Sequence, residues 1–471
     1  MTDQWRDVPD LAQRMPAGFT MGVATSAFQI EGAVREGGRG PSNWDVFMAQ
    51  PGRILDSSTA AVAADHFHRV REDVALLRDL GVDAYRFSFA WTRLQPEGKG
   101  GAHRAGVAFY DQLIDELLAA GIRPMATLYH WDTPEPLQRA GGWLNRDTAY
   151  RLADYAYLAG EAFGDRVDSW ATINEPATVT LNGYALGVHA PGATLVFDAL
   201  PAAHHQLLGH GLAVDALRAA GVAGGIGIVN VHSPVEPASD KAADAMYADL
   251  FDVLQNRMYA DPVLLGRYPE LPDQLPGQIR DKFAFLEAVE PSDLEVMSRP
   301  LDFYGLNYYF PTRIRAGAPT SSATPDGRAD AMRGLPFSLV DWPEFATTGF
   351  GWPIAPGYLS VALRELAERY GDALPPVYIT EGGASFPDTV ADDGSVDDPR
   401  RTAYLADHLA AAFDGADGVD VRGYFVWSLL DNWEWAAGFS QRFGLVRVDE
   451  HTQDRTPKAS YRWLQSLLRS R

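Results

Sequence analysis

DHFHRVREDVALLRDLGVDAYRFSFAW, residues 65–91, holds a helix and a strand joined at a glycine. Val70, Val74, Leu77 and Leu80 recur at helical spacing, and Gly81 is a natural stop. AYRFSFAW (84–91) then reads as a strand that carries an arginine, Arg86. The same amphipathic helix pattern recurs in GVAFYDQLIDELLAAG (106–121) and YLSVALRELAERYG (358–371). Further strands are expected at TMGVATS (20–26), IRPMATLYH (122–130), VDSWATIN (167–174), GIGIVNVH (225–232), LDFYGLNYY (301–309), PVYIT (376–380) and GYFVWSLL (423–430). Helices between strands imply a parallel sheet, and this number of strands is that of a closed (β/α)8 TIM barrel. The expected fold is α/β, one domain over residues 1–471, with long βα loops at 31–60, 232–300 and 310–355. The Pro/Gly/Ser-rich stretch 316–334 reads as a surface loop and not as a linker.

With 471 residues, 46% hydrophobic and 22% charged, the chain is long and apolar enough for a large core. A net charge of −22 argues against nucleic acid or an anionic membrane as partner. Zero cysteines exclude disulfides, thiolate catalysis and cysteine metal sites. The first twenty residues lack an apolar signal core, and no run is long enough to span a membrane, so the expected location is the cytoplasm. A homo-oligomer is compatible with all of this.

In a barrel, function sits at the C-terminal strand ends, and the unusual residues of this chain cluster there. Gln29 follows strand one and Arg86 lies in strand two. His130 and Trp131 end strand three, Asn174 and Glu175 strand four, Asn307 and Tyr309 strand six, and Glu381 strand seven. Trp427 precedes DNWEW, with Glu434 and Trp435, after strand eight. Pro176 disfavours the helical conformation at the residue before it, so Glu175 is expected to stay extended. Each acid alone has a bland reading, Glu-Pro as a surface turn and Glu-Gly-Gly as loop chemistry. Matched on two barrel strands, they suit glycoside hydrolysis, one as general acid and the other as nucleophile or as base for water. Their separation decides between retention and inversion. Twelve tryptophans suit a sugar site too, since flat aromatic faces pack on a pyranose while polar side chains bond its hydroxyls. Many of them, such as Trp5 and Trp463, are expected in the core.

The ordered motifs FTMGVATSAFQIEGA (19–33), NWDVF (43–47), residues 65–91, TLYHWDTP (127–134), TINEP (172–176), GLNYY (305–309), ITEGG (379–383), VWSLLDNWEW (426–435) and RFGLVRVD (442–449) resemble glycoside hydrolase family 1, the retaining β-glucosidases. The resemblance spans almost the whole chain. It implies that Glu175 is the acid/base and Glu381 the nucleophile, with Arg86 and Tyr309 keeping the latter ionised and oriented. It implies that Asn174 holds the sugar 2-hydroxyl and that Gln29, His130, Glu434 and Trp435 bind glycone hydroxyls. Trp427 would floor the ring and Trp352 would face the aglycone, with Trp131, Asn307 and Phe443 completing the substrate site. The implied substrate is a β-glycoside or cello-oligosaccharide, with a glucosyl, galactosyl or fucosyl glycone, and no cofactor or metal is implied. Gly382 stands where the family has Asn, which predicts a looser turn beside Glu381, and Ala90 and Thr92 replace the usual Ser and Pro around Trp91.

Three other readings compete. A 6-phospho-β-glycosidase needs a phosphate pocket after strand eight, where this chain has Glu434, Gln441 and Phe443, and a carboxylate there repels phosphate. A non-catalytic sugar-binding barrel would lack one of the two acids, and both are present. A metal-dependent barrel would draw on His66, His68, His130 and His232. His66 and His68 are two apart on a helix and do not share a face. His204 and His205 read as solvated or capping.

Overall fold

A computed structural model describes residues 8–318 and 331–471. Its centre is a closed parallel barrel of eight strands: β1 (Thr20–Ala24), β2 (Ala84–Ser88), β3 (Arg123–Tyr129), β4 (Ser169–Asn174), β5 (Gly225–Val231), β6 (Phe303–Asn307), β7 (Val377–Gly382) and β8 (Val421–Trp427). Each strand pairs with the next in sequence, and β8 closes on β1 with Thr20 opposite Gly423 and Ala24 opposite Trp427. All eight expected strands form, each within its expected stretch or at most two residues beyond it.

The barrel interior is filled by side chains of mixed size from successive strands: Ala24, Ala84, Met125, Ala171, Val229, Phe303 and Phe425. The small residues leave space for the rings, as packing at interior density requires. Outside, helices such as His66–Leu80, Arg104–Ala119, Asp147–Phe163, Pro201–Ala219, Gly357–Tyr370 and Pro399–Asp414 cover the strands with their apolar faces. In the first of these Val70, Val74, Leu77 and Leu80 are the buried stripe, as their spacing predicts. Trp463 packs against the same core, and Trp5 lies outside the described residues.

Two of the expected long loops are structured. Residues 232–300 carry the helices Ala242–Asp252, Met258–Leu265 and Pro291–Met297. Short strands Val235–Pro237, Thr312–Ala316 and Phe337–Leu339 join into a separate three-stranded sheet, with Val235 opposite Thr312 and Ile314 opposite Leu339. These insertions are long enough to bury their own apolar residues, Leu250, Met258, Ile314 and Phe337 among them. Of the stretch 316–334, residues 319–330 lie outside the described residues. His204 is neither solvated nor a cap: it is buried between Tyr268 and Asp293, while His205 bonds the carbonyl of Trp143.

Candidate active site

The register places the two acids. β4 and β7 each carry a register irregularity just before their acidic ends, between Ala171 and Asn174 and between Ile379 and Glu381. Such irregularities re-aim side chains at barrel rims. Glu381 lies opposite Asn307 on β6. Glu175 is not extended as expected but has φ 48°, in the left-handed region. Pro176 bars the right-handed helical conformation, and the chain takes the left-handed alternative, turning so that Pro176 opens the short helix Pro176–Thr178. Trp131 (φ 80°) and Trp435 (φ 50°) share this uncommon conformation at the same rim. Backbone of this kind is held only where its surroundings over-determine it, as functional sites do.

The carboxylates sit at two ends of one hydrogen-bonded chain. Arg86 Nη1 donates to Glu381 Oε1 at 2.5 Å, and its Nη2 donates to Asn174 Oδ1 at 2.7 Å. Asn307 Nδ2 donates to that same Asn174 oxygen at 3.1 Å and to Glu175 Oε1 at 2.7 Å. Thr380 Oγ1 donates to Asn307 Oδ1 and fixes the orientation of the amide. Tyr309 Oη donates to Glu381 Oε2 at 2.7 Å, and burial beside Glu381 raises its pKa so that it remains a neutral donor. Glu175 Oε2 accepts from Thr178 Oγ1 at 2.7 Å. Burial first, and then the charge of Glu381, push the Glu175 carboxyl up to about 7.

The surrounding groups are set with equal definiteness. Asn174 uses its oxygen for Arg86 and Asn307, so its amide Nδ2 faces His130 Nε2 at 3.1 Å and donates to it. That puts the ring proton of His130 on Nδ1, a buried atom with no hydrogen-bond partner among the described residues. Burial and the charge of Arg86 hold this imidazole neutral by lowering its pKa. Gln29 Nε2 donates to Asn432 and Glu434, and its Oε1 accepts from Ser26. Burial and Glu381 push Glu434 up to about 8. The loop that carries Glu434 is anchored from behind, where fully buried Lys458 bonds both Asp388 and Asp431.

These residues open on a cavity of about 670 Å³, a size ordinary for a small-molecule site. Its lining includes both acids, His130, Trp131, Tyr309, Trp352, Trp427, Glu434, Trp435 and Phe443. Trp435 packs on Trp131 at 4.6 Å and on Trp44 at 4.5 Å, and Trp352 stacks on Phe350 at 4.6 Å. Gln29, Arg86, Asn174 and Asn307 are fully buried and stand behind the lining residues. Gln29 and Asn307, expected as sugar ligands, also orient the acids, since their amides donate to Glu434 and Glu175. The expectation of a looser turn at Gly382 is corrected. A side chain there would collide with the buried Tyr424 hydroxyl, so β7 is tightly packed beside Glu381 and not loosened. Sequence reasoning missed Thr178 and Thr380. Thr178 could have been found, since it lies three residues after Glu175 at the start of a helix, where such side chains meet.

An array of this kind, with one carboxylate against a cation and another kept protonated near neutrality, can cleave a glycosidic bond by acid and nucleophile. Among known proteins, the family model described as Glycosyl hydrolase family 1 matches residues 11–471. The chain belongs to this family. A "Bifunctional beta-D-glucosidase/beta-D-fucosidase" of Bifidobacterium breve is 41% identical, covering 96% of this chain and 98% of its own. Among solved family 1 relatives, the psychrophilic β-glucosidase BglU of Micrococcus antarcticus superimposes with TM-score 0.90 at 43% identity, covering 98% of each chain. The β-glucosidase of Thermotoga maritima in complex with deoxynojirimycin gives TM-score 0.87 at 39% identity over 97% of this chain and 98% of that one. No group of three or more His, Asp or Glu suited to hold a metal occurs among the described residues, and no described helix is long and apolar enough to cross a membrane.

Proposed function

We propose that this chain is a retaining β-glucosidase that releases terminal β-D-glucosyl residues, and related galactosyl or fucosyl ones, from small-molecule β-glycosides such as cello-oligosaccharides. The observation that carries the reading is the contrast between its acids: Glu381 on a guanidinium, and Glu175 held by neutral donors and pushed up to about 7. In the first step the Glu381 carboxylate attacks the anomeric carbon while protonated Glu175 gives its proton to the leaving oxygen. The aglycone departs as an alcohol and a glycosyl ester remains on Glu381. That ester has no charge, so one of the influences raising Glu175 disappears and the Glu175 carboxylate becomes the better base. It then takes a proton from water as the water oxygen attacks the anomeric carbon and frees Glu381.

The remaining roles follow from placement. Arg86 and Tyr309 orient the nucleophile, and Asn174 lies between them and the acid/base. Glu434 and His130, which both line the cavity, bind glycone hydroxyls, with Gln29 holding Glu434 in place. Trp427 and Trp435 wall the glycone side, while Trp352, Trp131 and Phe443 enclose the remainder of the substrate. Glu434 stands where a 6-phosphoglycone would need a cation, and a carboxyl there supplies none. Assay of p-nitrophenyl β-glucoside against its 6-phosphate tests this. Turnover of the unphosphorylated substrate is expected, and hydrolysis of the phosphorylated one alone would overturn the proposal.

A further inference from the structure

Glu175 has a different kind of partner at each of its two oxygens. Oε1 accepts from the Asn307 amide, which is locked because its own oxygen is held by Thr380. Oε2 accepts from Thr178 Oγ1, on a side chain that lines the cavity. An amide N–H can only donate, so Oε1 stays an acceptor whatever the charge of Glu175. A hydroxyl rotates and can donate or accept, so the proton of the neutral acid belongs on Oε2. We infer that Thr178 is a positioning residue for catalysis: its hydroxyl assigns the transferable proton to Oε2 and, by donating when that proton is gone, favours the charged form. The inference rests on the reading of Glu175 as acid/base.

Other charges also face Glu175. Glu381 on β7 opposes its ionisation, and Arg86 on β2 favours it. Glu434 after β8 and Tyr309 after β6 share its field. His130 after β3 and His232 after β5 line the same cavity, His130 pushed well down and His232 down to about 4 by burial. The side chain of Thr178 bonds Glu175 and none of these groups among the described residues, so changing it separates the Glu175 titration from the others.

The test is the pH profile of kcat/KM for Thr178→Val and Thr178→Ser with methyl β-glucoside, whose leaving group needs an acid, and with dinitrophenyl β-glucoside, whose leaving group does not. Loss of one donor to the carboxylate is expected to move the alkaline limb of Thr178→Val upward by about 0.5–1 pH unit with the methyl glucoside. Thr178→Ser should follow the parent profile, and the dinitrophenyl substrate should scarcely respond. A Thr178→Val limb that coincides with the parent, or a uniform loss with the limb unmoved, would overturn the inference. Glu175→Gln separates this failure from failure of the functional reading. If it lowers kcat/KM for both substrates alike, Glu175 does not act as the acid and the fault lies there.

Discussion

Glu175 and Glu381 end strands on the same barrel rim, are both buried, and yet live in opposite company. Glu381 meets a guanidinium and a phenol, while Glu175 meets an amide and a hydroxyl, with the charge of Glu381 across the chain of bonds between them. Residue type is therefore not what separates a nucleophile from an acid here. The β2 arginine does that, because it bonds one carboxylate directly and is linked to the other by hydrogen bonds through Asn174 and Asn307, its charge acting there from farther off.

Removing either acid breaks the comparison most severely. Glu381→Gly leaves no nucleophile, and kcat should fall by at least about 10⁴-fold. Added azide should restore part of the turnover by taking its place, and unchanged activity would sink the assignment. Glu175→Gln should cost about 10²–10⁴-fold in kcat/KM on glucosides with poor leaving groups and much less on activated ones, as steady-state kinetics would reveal.

Arg86 tests the origin of the contrast. Arg86→Met strands Glu381 without its cation, and breaking a buried pair of this kind costs about 3–5 kcal/mol. The urea midpoint should fall and activity should be lost with it. A midpoint equal to the parent would show that the pair does not set the environment of Glu381.

The pH behaviour of Glu175 sharpens the comparison from the other side. The folded protein holds its proton up to about 7, against an ordinary value of 4.5, so the folded state binds more protons than the unfolded one within that window. Stability from this group is therefore full below about 4.5 and lost as pH rises through 7. Glu175→Gln should accordingly be more stable than the parent at pH 8, by roughly 3 kcal/mol, and no different at pH 4. Thermal unfolding at the two pH values reads this directly. The alkaline limb of kcat/KM should fall in the same region, because the acid must be protonated.

The smallest effect concerns β7 itself. Gly382→Ala forces a methyl group towards the Tyr424 hydroxyl and should cost about 1–3 kcal/mol. Differential scanning calorimetry checks it, and an unchanged melting temperature would mean that the strand beside Glu381 has room to yield.

The barrel was legible because its strands are five to seven residues long and its helices show a full apolar stripe. The small sheet was not, because Val235–Pro237 and Phe337–Leu339 are too short for any periodicity to register. Both acids and most of their neighbours could be named from their places at strand ends, and Trp352 and Phe443 only through the family resemblance, but whether each touches the cavity could not be read. Asn307 and Gln29 stand behind the wall because of the register of β6 with β7 and the path of the loop after β8, and both are long-range facts. The conformation of Glu175 was half legible. The rule for a residue before proline excludes one conformation and does not choose between those left. Tyr424 and Gly382 are far apart in the chain, so their mutual fit is invisible until the strands pair.

The most direct measurement is mass spectrometry of the protein after incubation with dinitrophenyl 2-deoxy-2-fluoro-β-glucoside, whose fluorine slows both steps while its good leaving group keeps ester formation the faster. The expected result is a protein heavier by one fluoroglucosyl group, with peptide mapping placing it on Glu381. A label on any other residue, or release of the α-anomer from an ordinary substrate with no adduct, would contradict the account.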